Sequence, residues 1–122
     1  MPMLGAFLTP HPPVLLPEVG KGREREISAT GNAMRMAAEE VARWSPEVLI
    51  VASPHTILYG DYFHIAPGSG ADGSMAAFGA PQVRIEAQYD EPLREEVIRR
   101  AEHMGLQAGT LGQRDPSLDH GV

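Results

Sequence analysis

With no cysteine in the chain, chemistry falls to five histidines and a set of carboxylates. Two of the histidines occupy matching places. His11 closes the run Leu4-Gly5-Ala6-Phe7-Leu8-Thr9-Pro10 and is followed by Pro12 and Pro13. His55 closes Val48-Leu49-Ile50-Val51-Ala52-Ser53-Pro54. A neutral imidazole is a good ligand for a divalent metal, and two converging imidazoles make half of a site. An added carboxylate would complete the facial triad that suits Fe(II). Taken singly, each histidine reads more readily as a surface loop residue held by backbone hydrogen bonds. The equivalence of the two positions favours a joint role. Disulfides, cysteine-ligated zinc and thiol catalysis are excluded.

The other polar candidates are weaker. His120 reads either as a turn residue or as an acid/base group, because an imidazole titrates near neutral pH. Asp119 precedes it directly and is poorly placed to reach its neighbour's ring. His64 beside Phe63 is expected to be structural, and His103 to sit in a last helical turn with no function. Asp61 and Glu18 could reach the edge that carries His11 and His55, or could cap their own loops. The glycines of 68–74 lack the Lys-Ser/Thr ending of a phosphate loop, and Ser53 is not in a nucleophile-elbow pattern.

These side chains need a frame. Residues 3–8 and 48–52 are short apolar runs without alternation, as expected of strands covered on both faces. Between them Ile27, Thr30, Met34, Ala37, Val41 and Trp44 recur at helical spacing, predicting a helix from about Glu24 to Trp44 that ends before Pro46. Strand, helix and strand make a right-handed βαβ unit, which brings His11 and His55 to one carboxyl edge, where ligands of open α/β sheets bind. Further on, 62–66 predicts a third strand and 67–74 a turn or mobile loop. Val83, Ile85, Ala87 and Tyr89 alternate with polar residues, predicting an edge strand. Asp90 should cap a helix whose apolar stripe is Leu93, Val97, Ala101 and Met104, with Gly105 at its end. A short strand is expected within 106–111.

The 122 residues suit a single domain, and the net charge of −6, with no basic cluster, argues against nucleic acid as a partner. No run approaches the length of a membrane span and the N-terminus has no leader pattern, so a cytoplasmic protein without a membrane partner is the expectation. The charged, turn-rich ending at Val122 reads as a cut chain. A sheet cut in this way exposes edges, which predicts a homo-oligomer.

Taken together, Pro10-His11-Pro12-Pro13, Pro17-Glu18-Val19-Gly20, Ser53-Pro54-His55, Asp61-Tyr62-Phe63 and Leu118-Asp119-His120-Gly121 resemble the class III extradiol ring-cleavage dioxygenases of LigB type. The likeness is strongest to the AmmeMemoRadiSam system protein A group, related to Memo. The resemblance implies a three-layer α/β sandwich, with a mostly parallel sheet flanked by helices, of which residues 1–122 would be the N-terminal portion. It further implies non-haem Fe(II) on His11 and His55, His120 acting on substrate or dioxygen, and a small aromatic diol plus O2 as reactants. Zinc or another divalent ion would suit the same donors. The family's third ligand is a late glutamate with no counterpart here, so a non-catalytic, Memo-like accessory module of a radical-SAM-associated system is the alternative.

Overall fold

In the computed structural model, which describes residues 2–122, the chain enters helical structure just after its proline-rich opening. Pro13–Leu15 forms a 3-10 turn, and helix α1 spans Pro17–Gly20 with proline at its first position, where the missing N–H costs nothing. Helix α1 is about one turn long. It is broken at Lys21 and Gly22, both in the left-handed region. A second 3-10 turn, Arg23–Ile27, leads into helix α2, Ser28–Trp44. Ile27, Thr30, Met34, Ala37, Val41 and Trp44 are all half-buried, as their spacing predicts. The helix ends at Ser45, where the following proline disfavours a further helical residue.

The extended runs on either side of α2 depart from expectation. Among the described residues, neither 3–8 nor 48–52 forms a strand ladder. Residues 3–8 instead lie over the end of α2, where the Phe7 ring stacks on Trp44 with centroids 5.3 Å apart. Their apolar composition favours burial, but a ladder also requires a backbone partner about 4.8 Å away, and none is in place.

The α/β character is carried by the second half. Strand β1, Phe63–His64, lies within the predicted third strand. Strand β2, Gly70–Met75, falls where a loop was expected. It pairs antiparallel with β3, Ala80–Gln88, which follows the predicted alternating run. The glycines that suggested a loop are what allow the pairing: a Cβ on Gly70 would lie 2.6 Å from the Ala87 carbonyl oxygen. Helix α3, Glu91–His103, is capped by Asp90, whose carboxylate accepts the Leu93 N–H at 2.9 Å. Gly105 takes the left-handed conformation just beyond it. The inward face of α3 is rotated from the predicted stripe: Leu93, Ile98 and Ala101 are half-buried, while Val97 and Met104 are exposed. Arg94 folds inward with Leu93 and donates to the carbonyls of Ala66 and Gly68. Strand β4, Ala108–Gly109, then pairs parallel with β1.

Ala80 is the one fully buried hydrophobic residue among those described. Leu8, Ile50, Leu58 and Leu111 are almost wholly exposed. The accessible surface is 9208 Å², against about 6,400 Å² for a folded monomer of this mass. The apolar faces of this α/β chain lie open.

Candidate metal centre

Three loops converge on one point. The first holds His11 between Pro10 and Pro12, whose rings restrict the backbone before the 3-10 turn begins. The second is the turn after 48–52 that carries His55. The third ends in His120 and is fastened to β2. The Asp72 N–H donates to the Pro116 carbonyl at 3.2 Å, and the Leu118 N–H donates to the Asp72 carbonyl at 2.8 Å. Gly73 permits this approach, since a Cβ there would stand 2.9 Å from the Leu118 Cβ and 3.0 Å from its carbonyl oxygen. The strand that composition concealed is thus the one that positions His120.

One ring nitrogen from each of His11, His55 and His120 lies within 4.8 Å of the other two. The Nε2 atoms of His11 and His55 face each other at 2.5 Å. The His55 and His120 rings have centroids 4.1 Å apart, and the Phe78 ring packs on the edge of His120 at 5.0 Å. His11 and His120 are half-buried while His55 is exposed, so the cluster opens to solvent on one side.

Two imidazole nitrogens placed nose to nose repel unless a proton or a cation stands between their lone pairs. Three such nitrogens form a neutral donor set of borderline softness, which fits Zn²⁺, Cu²⁺ or Fe²⁺. The cluster of ligand atoms contains no carboxylate. The residues present therefore fit a divalent metal but do not by themselves supply the facial triad.

Asp119 and Ser53 are the residues that sequence reasoning passed over. The Asp119 side chain is 10% exposed, and its Oδ1 accepts the Gly121 N–H at 2.5 Å. Its Oδ1 is 3.9 Å from His120 Nδ1, so the expected absence of a direct bond to the neighbouring ring holds. Burial pushes this carboxyl upward. The Ser53 hydroxyl, the Gly121 amide and the charges of His55 and His120 outweigh it, leaving the group below the usual carboxylate range. The hydroxyl lies beside the carboxylate without completing a well-formed bond, since both Ser53 Oγ and Asp119 Oδ2 are buried and unpartnered. A positional signal was available: each of these polar residues stands one or two places ahead of a clustered histidine.

The remaining candidates stay away. Glu18 and Asp61 are exposed and lie outside the cluster. His64 is half-buried near Tyr59, and its Nδ1 is buried without a partner. His103 Nδ1 bonds the Arg99 carbonyl at 2.7 Å at the end of α3. No helix among the described residues is long and apolar enough to cross a membrane.

The family described as the catalytic LigB subunit of aromatic ring-opening dioxygenase matches residues 5–122. Protein CA_C1420 of Clostridium acetobutylicum is 31% identical over 118 residues, covering 97% of this chain. The chain spans 23% of the length of that relative. No solved structure matches.

Proposed function

Since the chain belongs to the family of the catalytic LigB subunit of aromatic ring-opening dioxygenases, we propose that it carries part of an extradiol dioxygenase site acting on a small aromatic diol with O2. The convergence of His11, His55 and His120 within 4.8 Å is the observation that supports this most. In this reading His11 and His55 would hold a non-haem Fe(II), which would supply Lewis-acid and redox chemistry toward a diol and O2. His120 stands beside them and takes the proton from a diol hydroxyl, returning it as the ring opens. The Phe78 ring packs against His120, with centroids 5.0 Å apart. The test is anaerobic loading of the chain with Fe(II), followed by O2 uptake with catechols. Iron should bind, His11→Ala and His55→Ala should abolish binding, and His120→Gln should keep the iron but lose turnover. A wild-type chain that binds no iron sinks the reading.

One observation favours a second reading. The cluster lacks a carboxylate ligand, which suits a Memo-like binding module that holds a metal or ligand without ring cleavage. Metal binding without O2 uptake on any catechol would select it. In either case we infer that the open apolar surface is covered by a second copy. The excess over the expected area is about 2,800 Å², comparable with an obligate interface. Sedimentation should show a dimer or larger species, and a stable monomer at micromolar concentration would contradict this.

A further inference from the structure

The carboxylate of Asp119 has no role in the reading above, yet it is the acid placed against the histidine cluster. Nine-tenths of its side chain is removed from water. One oxygen is satisfied by the Gly121 amide. The other, Oδ2, is buried with no partner, as is the neighbouring Ser53 Oγ. Burying a carboxylate oxygen unpaired is costly unless a nearby positive charge compensates for it. Apart from the histidines, no cation pairs with Asp119 among the described ion pairs.

The loop around Asp119 is built for this approach. A Cβ on Gly121 would lie 2.6 Å from Ser53 Oγ, 3.1 Å from Asp119 Oδ1 and 3.1 Å from His11 Cδ2. Glycine thus lets one short backbone turn touch the His11 ring, the serine ahead of His55 and the acid ahead of His120 together. Asp119 is not among the ligand atoms of the cluster, and at 3.9 Å from His120 Nδ1 it forms no direct hydrogen bond. Its action is through charge and position.

Resting on the reading of the three histidines as a metal centre, we propose that Asp119, with Ser53 beside it, is a positioning residue that supplies the buried negative charge the all-histidine cluster lacks. The neutral imidazoles of His11 and His55, with His120 beside them, leave both positive charges of a divalent cation uncompensated. A fixed carboxylate just outside the donor set offsets them. Acidic groups hydrogen-bonded to ligating histidines commonly change metal affinity by about 10–100-fold, and a carboxylate acting through space should fall at or below the lower end of that range.

The experiment uses Co²⁺ alone as probe, following its visible absorption on titration into the 122-residue chain, with Zn²⁺ competition to obtain affinities. Asp119→Asn keeps an oxygen for the Gly121 amide and removes the charge. It should weaken Co²⁺ binding by up to about 10-fold and shift the absorption bands, with the thermal midpoint little changed. Ser53→Ala should weaken binding by less. If Asp119→Asn does not fold, Asp119→Glu, which keeps the charge and displaces it by one methylene, should bind more weakly than wild type. Wild-type affinity and spectrum in the folded Asn or Glu variant, with binding abolished in His55→Ala, would overturn this proposal while leaving the metal centre intact. Failure of the wild-type chain to bind Co²⁺ or Zn²⁺ would overturn both.

Discussion

At the scale of single residues, the site depends on what is small as much as on what binds. A Cβ on Gly121 would meet Ser53 Oγ at 2.6 Å, closer than any side chain normally stands, and Asp119 and His11 at a tight 3.1 Å. Gly121→Ala should therefore push the 119–121 turn away from His11, lower Co²⁺ affinity and cost about 1–3 kcal/mol, as overpacking of a close contact typically does. Thermal melts of the metal-free variant and metal titrations measure the two effects separately. His11 and His55 were legible in the sequence because each follows an apolar run and a proline. Asp119 was harder to see: a carboxylate next to a histidine in sequence points elsewhere along an extended backbone. Only the turn closed by Gly121 brings it back against the rings of the other loops.

At the scale of elements, β2 decides where His120 stands. Its glycines hid it, since in sequence Pro67 to Ser74 has the composition of a loop, and its pairing with β3 depends on close backbone approach. Gly73→Val should displace Leu118, detach the 116–118 segment from β2 and weaken metal binding, although residue 73 is no ligand. The loss should appear in Co²⁺ titration, and in faster exchange of the Asp72 and Leu118 amides, the pair that bonds across this junction. Helix α3, by contrast, was readable at both ends, because its cap and its terminating glycine act locally. Its surface adds a pH-dependent element. Bonding to Arg99 and then Arg100 holds the Glu96 carboxyl at about 2, against an ordinary value of 4.5. A depressed carboxyl stabilises the fold above its ordinary value and loses that contribution as pH falls from about 4.5 toward 2. Amide exchange in α3 should accelerate over that window in wild type and not in Glu96→Gln. The group is exposed, so the effect should be small and shrink with added salt.

At the scale of the whole molecule, the apolar surface is the dominant feature. Residues 3–8 and 48–52 have the composition of buried strands but no ladder partners, and Leu49, Ile50 and Val51 are exposed. Ile50→Lys places a charge in the middle of that open run. It should shift sedimentation toward monomer and improve solubility, with metal affinity largely unchanged, since residue 50 is outside the cluster. Persistence of the same assembly in this variant would place the interface on another apolar face, with the exposed Met36 of α2 the next to test by Met36→Lys.

By itself the sequence determined the α/β class, helices α2 and α3 with their caps and stops, the edge strand β3 and the pair of histidines at the ends of apolar runs. All of these rest on local forces: helical or twofold spacing, proline and glycine geometry, and a side chain capping its own helix. The tertiary structure alone decided that His120 joins the pair, that a glycine-rich stretch becomes the strand carrying it, and that Asp119 and Ser53 lie against the cluster. It also decided that two runs with strand composition go unpaired. Each of these depends on contact between segments far apart in the chain, and a ladder forms only where a second backbone is present to complete it.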